Sequence, residues 1–257
     1  MMGPLVSTAW LAAAQGVRIV DASWFLPEHG RDAMADYRAG HIPGAAFLDI
    51  AGVKPGGIDL DDTDARIVAY DDSPLHTAAR GWWLLRSSGA ENVAILDGGL
   101  AKWRAEGRPV ERGEGRHMTG SPGAVPPPDL RDIASMRTTV DQIVDARSPS
   151  RFAGEEPEPR AGVVPGHIPG AKNLHYARLF EDDGTWKSPP AIAQAFADAG
   201  IDLTRPITAT CGSGVTACAL IFGLELLGRD AHLYGGSWAE WGSDPTTPKE
   251  SGRGQTA

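Results

Sequence analysis

The sequence predicts an α/β protein built as two similar units in tandem, each a mostly parallel sheet flanked by helices. Two observations carry that prediction. Short segments recur in the same order along the two halves of the chain, HIPGA standing at 41–45 and again at 167–171, and such self-similarity marks a repeated structural unit. Within each half, short apolar runs of strand character alternate with longer helical stretches, the pattern of βα units. A chain of 257 residues with 42% hydrophobic residues has material for two cores of ordinary size.

The repeat is anchored at four places. VDAS at 20–23 matches VDAR at 144–147, the two HIPGA segments match, IVAYDDS at 67–73 matches ITATCGS at 207–213, and LDGGLAKW at 96–103 matches LYGGSWAEW at 233–241. In the first copy VRIVDA, RIVAY and NVAILDG read as strands and TAARGWWLLRSSG as a helix whose Trp82, Trp83, Leu84 and Leu85 belong to a core. HIPGA reads as a type II turn, because Pro sets the second position and Gly supplies the positive φ of the third. At 51–66 the first copy is shortened, and Pro55-Gly56-Gly57 breaks any helix there, whereas the second copy has room for one in AIAQAFADAGI.

Between the copies GRPVERGEGRHMTGSPGAVPPPDLRD, at 107–132, is rich in Gly, Pro and charge without apolar periodicity, as expected of an exposed connection. The first unit is expected at 1–120, a linker at 121–130 and the second unit at 131–257. In the second unit QIVDA, PITATC and DAHLYGG read as strands, and AIAQAFADAGI and VTACALIFGLELLG as helices.

Charge and cysteine usage narrow the function classes. A net charge of −9 and a pI near 5.2 exclude a broad attraction to nucleic acid or to an anionic membrane, so a small-molecule partner is expected, with a local cationic site if it is anionic. The first twenty residues lack a basic region, and no run of eighteen apolar residues occurs, which reads as soluble and unexported. Two cysteines, Cys211 and Cys218, make neither a disulfide framework nor a zinc cluster. No cofactor or metal is expected, and a reducing cytoplasm fits.

The chemistry centres on TCGSGVTACAL, 210–220. A strand ends at Cys211, and Gly212-Ser213-Gly214 lead through Val215 and Thr216 into a helix, the place where α/β sheets bind ligands. Two glycines let successive N–H groups converge on one point, and the following helix adds its positive end, so a sulfur there is stabilised as an anion, with Ser213 and Thr216 as further donors. The same residues also suit a small buried cysteine beside a turn, and the loop alone leaves both readings open. Cys218, two turns into the helix among Ala217, Ala219 and Leu220, reads as core.

Together the tandem repeat, both HIPGA elements, RFAGEEPEPR at 151–160 and CGSGVTA at 211–217 resemble the tandem-domain rhodanese-type sulfurtransferases over almost the whole chain. The loop CGSGVT is similar to that of the 3-mercaptopyruvate-using members, whereas thiosulfate-using members more often carry basic residues after the cysteine. The resemblance implies an enzyme in which the Cys211 thiolate takes sulfur from 3-mercaptopyruvate and passes it from a persulfide to a thiol, a thioredoxin-like protein or cyanide. It implies Arg151 and Arg160 as substrate-binding residues, and His41 and Asp32 as partners of Ser213 in moving a proton. Thiosulfate is the alternative donor, and a non-catalytic sulfur carrier a third reading. A cysteine phosphatase of related fold needs an arginine six residues after its nucleophile, and position 217 is Ala. The first unit has Asp71 where the second has Cys211, and since a carboxylate cannot carry a persulfide, that unit is expected to be inactive.

Overall fold

The apolar runs of both copies become parallel strands in the computed structural model, which describes residues 2–118, 120 and 126–253. In the first unit β1 (Leu5–Val6), β2 (Val17–Asp21), β3 (Ala46–Leu48), β4 (Arg66–Tyr70), β5 (Asn92–Leu96) and β6 (Arg116–Met118) form one sheet in the order β1-β5-β4-β2-β3-β6. In the second, β7 (Leu130–Arg131), β8 (Gln142–Asp145), β9 (Lys172–Asn173), β10 (Ile207–Thr210) and β11 (His232–Tyr234) run in the order β7-β11-β10-β8-β9. All paired strands are parallel. The five strands of the second sheet repeat the order of the first five strands of the first, as a duplicated unit requires.

The central strands β4 and β10 are buried almost throughout, which explains why RIVAY and ITAT read as continuous apolar runs rather than alternating ones. Helices α1 (Thr8–Ala13), α2 (Ala33–Ala39), α3 (Ala78–Ser87) and α4 (Gly99–Ala105) flank the first sheet, and α5 (Ile133–Met136), α6 (Pro149–Ala153), α7 (Pro189–Asp198), α8 (Ala217–Leu226) and α9 (Ser237–Trp241) the second. Trp82, Trp83, Leu84 and Leu85 are all buried in α3. Helix α8 is apolar on every side because β10 and β11 cover one face and α7 with the 3-10 turn Tyr176–Leu179 cover the other. Among the described residues no helix is long and apolar enough to cross a membrane.

Both HIPGA segments form the expected turn. Ala45 N–H donates to Ile42 O and Ala171 N–H to Ile168 O, each at 3.0 Å, and Gly44 and Gly170 both have φ +75°. The segment at 51–66 contains no helix, in line with Pro55-Gly56-Gly57. The described residues of the connection at 107–132 are exposed or half-buried, as its composition suggests, and it also supplies β6 and β7 to the edges of the two sheets. An edge strand satisfies its backbone from one neighbour and buries little, so apolar periodicity does not announce it. Residues 121–125 of the expected linker lie outside the described residues.

The chain divides into two compact units, Met1–Pro127 with Glu181–Trp186, and Pro128–Phe180 with Lys187–Ala257. Thus six residues of the second repeat, EDDGTW, belong to the first unit. There the Trp186 N–H donates to the Asp97 carboxylate at 2.9 Å, and the Trp186 side chain is buried.

Candidate active site

Cys211 lies where β10 ends, and three hydrogen bonds with the first residues of α9 fix its backbone and that of Gly212. Its N–H donates to Ser237 Oγ at 3.2 Å, its carbonyl accepts from Trp238 N–H at 2.9 Å, and the next carbonyl, of Gly212, accepts from Ala239 N–H at 2.9 Å. The loop then curls back, so that Gly214 N–H points at Cys211 Sγ at 3.1 Å. Gly214 takes φ +76°, and a Cβ there would stand 2.9 Å from Gly235 O, so the curl requires glycine. One backbone amide, that of Gly214, therefore faces the sulfur, where the sequence suggests several converging N–H groups. The expected hydroxyl donors do not: among the described residues no hydrogen bond joins Ser213 or Thr216 to Sγ, and α8 starts without a side-chain cap from Thr216. Cys211 itself is buried at the base of the loop. Cys218 is buried as expected, and it also donates its S–H to Gly214 O at 3.3 Å, on the residue whose N–H faces Cys211.

Cations reach this loop from α6 and from the segment between β8 and α6. Arg151, on α6, places Nη2 3.2 Å from where a Cβ of Gly212 would stand, so the missing side chain at 212 is the space the guanidinium occupies. It pairs with Glu158, as an arginine in such an acidic stretch commonly does. What the sequence reading missed is Arg147. Its side chain is 1% exposed; it grips Asp145 through Nε and Nη2 at 2.7–3.1 Å, donates to Glu158 Oε1 at 2.8 Å and to Gly166 O at 2.7 Å, and lies over the Trp238 ring at 4.9 Å. Burial works against its charge, but the pull of Asp145, its hydrogen bonds and Glu158 outweigh that and hold Arg147 above the ordinary arginine range. Cys211 adds to the same pull.

The result is an alternating chain of charges, Asp145, Arg147, Glu158 and Arg151, in which Glu158 uses one oxygen for each arginine. The signal for Arg147 was present in the repeat: the copy with the cysteine reads VDAR and the copy without it reads VDAS. Arg160, by contrast, is exposed, and its side chain makes no hydrogen bond or ion pair among the described residues.

The first unit shows what the same frame does without the cysteine. Leu100 N–H donates to Asp71 O at 2.9 Å, the counterpart of Trp238 with Cys211. The Asp71 carboxylate accepts from the Thr77 N–H and, at 3.1 Å, from the Thr77 hydroxyl, so it fills its own loop. Burial pushes its pKa up to about 7 against those bonds.

His41 and Asp32 both have local tasks in this unit. The His41 ring stacks on Tyr37 with centroids 4.0 Å apart, and Nδ1 meets Tyr37 O at 2.7 Å; a carbonyl only accepts, so Nδ1 carries the hydrogen. His167 repeats that arrangement on Phe152, with Nδ1 2.8 Å from Phe152 O. Both histidines are buried and lock their turns, and His41 keeps only Nε2, 3.9 Å from Glu111, for anything further. Asp32 is exposed and caps α2, accepting from Ala35 N–H at 2.7 Å.

The model of the rhodanese-like domain matches residues 7–106 and 129–244. The chain is 37% identical over 287 aligned positions to mouse 3-mercaptopyruvate sulfurtransferase, covering 98% of this chain and 97% of that protein. It is 38% identical over 276 positions to a putative thiosulfate sulfurtransferase of Mycobacterium tuberculosis, covering 95% of each. Among solved structures, the 3-mercaptopyruvate sulfotransferase SseA of Escherichia coli superposes with a TM-score of 0.77 at 30% identity over 92% of this chain and 99% of that one. Two copies of one sheet topology, one cysteine seated on a curled loop and matches across nearly the whole length place the chain in the rhodanese-like family.

Proposed function

We propose that the chain is a sulfurtransferase that takes sulfur from 3-mercaptopyruvate onto Cys211 and hands it to a thiol, a thioredoxin-like protein or cyanide. The Gly214 N–H facing Cys211 Sγ, with the Arg151 guanidinium above the same loop, is the observation that carries this reading. The Cys211 thiolate attacks the sulfur of mercaptopyruvate, the carbon–sulfur bond breaks, and its electron pair leaves on carbon as the enolate of pyruvate, which takes up a proton. An acceptor thiolate then attacks the outer sulfur of the persulfide, and the Cys211 thiolate is restored. Loop amides oppose the negative charge of the persulfide, and Arg151 with Arg160 hold the carboxylate end of the donor. For the proton, the relay through Ser213, His41 and Asp32 remains part of the proposal, with His41 Nε2 as the ring atom left to serve it.

Thiosulfate is the second donor to consider, because the mycobacterial relative bears that name and because Arg147 and Arg151 bring positive charge to a loop that has none of its own. Charge balance favours mercaptopyruvate: Asp145 and Glu158 offset both arginines, so no surplus cation meets a dianion at the sulfur. The two free cysteines and the net charge of −9 fit a cytoplasmic setting with small-molecule partners. Whole-protein mass after incubation with mercaptopyruvate tests the core of the proposal. A gain of one sulfur atom, about 32 Da, absent from Cys211→Ser, is the expected outcome. No gain in the parent protein sinks it, and a kcat/KM favouring thiosulfate replaces the donor.

A further inference from the structure

Among the described residues two that are not glycine adopt a positive φ, His76 and Ser237. Ser237, at φ +52°, is fully buried and lies beside the nucleophile. A side chain resists that backbone conformation, and where it persists the surrounding structure holds it there. The first unit shows the unstrained solution. Leu100 and Trp238 donate to the equivalent carbonyls of Asp71 and Cys211, which sets Gly99 opposite Ser237, and Gly99 has φ +56°. A Cβ on Gly99 would stand 2.4 Å from Asp71 O, so glycine is what the frame asks for at this place. The catalytic copy departs from it and gains one thing, a hydroxyl that accepts the Cys211 N–H at 3.2 Å while donating to Tyr234 O at 2.8 Å.

We propose that Ser237 is a positioning residue for Cys211: its hydroxyl fixes the nucleophile's amide while the Trp238 N–H fixes the nucleophile's carbonyl, so that both peptide planes flanking Cys211 are held and Sγ stays on the Gly214 N–H. The inference rests on the reading of Cys211 as the nucleophile. Without the hydroxyl, the Cys211 amide loses its acceptor and the sulfur loses its fixed aim, while the donor-binding arginines are untouched. Turnover therefore falls, and donor affinity does not.

The test uses the full chain with Ser237→Gly and Ser237→Ala, read by kcat and KM for mercaptopyruvate and by native-state hydrogen exchange of the Cys211 amide against that of Ala209 in β10. Expected for both variants are a kcat at least tenfold lower, a KM within twofold of the parent, and Cys211 exchange at least tenfold faster with Ala209 unchanged. Ser237→Gly removes the strain, so its melting temperature stays within a few degrees of the parent, whereas Ser237→Ala keeps the strain and melts lower. A parental kcat in Ser237→Gly, a loss carried by KM, or Cys211 and Ala209 amides that accelerate together would each overturn the proposal, the last because it marks general loosening. The exchange measurement needs no donor. If neither mercaptopyruvate nor thiosulfate puts sulfur on the parent Cys211, the functional reading falls while exchange still decides whether Ser237 holds that residue.

Discussion

Glu158→Gln separates the two tasks that one carboxylate performs. Glu158 is 4% exposed and gives Oε1 to Arg147 and Oε2 to Arg151, so the amide keeps one acceptor and turns an NH2 donor toward the other guanidinium. A hydrogen bond to a charged group contributes about 1.5–3 kcal/mol, and removing one partner of a buried pair costs about 3–5 kcal/mol. Arg147 retains Asp145 and Gly166 O, and Arg151 is a quarter exposed, so the lower end applies, about 2 kcal/mol in all. For a unit of this size that is a fall of roughly 8 °C in melting temperature. Arg151, no longer tied above Gly212, grips the donor less well, and a tenfold rise in KM corresponds to about 1.4 kcal/mol. Pyruvate release at varied mercaptopyruvate, with thermal unfolding of the same preparations, reads both numbers. A variant that melts lower at unchanged KM would show that Glu158 serves stability alone, and an unchanged melting temperature would deny the charge chain any weight.

Two further outcomes follow from the same geometry. Arg151→Ala raises KM more than Arg160→Ala does, by tenfold or more against a few-fold, because Arg151 is held at the loop and Arg160 extends into solvent; initial-rate kinetics decide, and the reverse order would move the donor-binding site outward. Asp71 has a folded pKa of about 7 against 3.8 for the free group, so the folded state favours its protonated form. That stabilisation is complete below pH ~4 and is lost as pH rises through ~7, a change of up to about 4 kcal/mol relative to Asp71→Asn, which cannot ionise. Urea unfolding of the full chain between pH 4 and 8 measures the difference, and a flat difference would refute it.

The sheets were legible in the sequence where burial is greatest. RIVAY and ITAT are central strands whose composition is dictated by contact on both faces, and HIPGA announces a turn that only its own residues form. The edge strands at Arg116–Met118 and Leu130–Arg131 escaped, since pairing on one side leaves composition free. At the site, the curl around Cys211 is local and was readable from its glycines, but its supports are not. Arg147, Glu158 and Ser237 come from three separate segments and acquire meaning only when the fold brings them to the loop. Of these, Arg147 stands against Ser23 at aligned positions of the two copies, so the repeat held more information than a motif search extracts, whereas Ser237 stands opposite Gly99 only in the register that the Leu100 and Trp238 hydrogen bonds set.

The hexapeptide Glu181–Trp186 makes the first unit discontinuous in sequence. A chain ending at Pro127 would leave Asp97, whose carboxyl burial already pushes above its usual range, without the Trp186 amide that supports its ionised form. The duplication thus carries a dependence: the half without a nucleophile is completed by residues encoded within the half that has one, so a cut between the repeats takes six residues from the first unit.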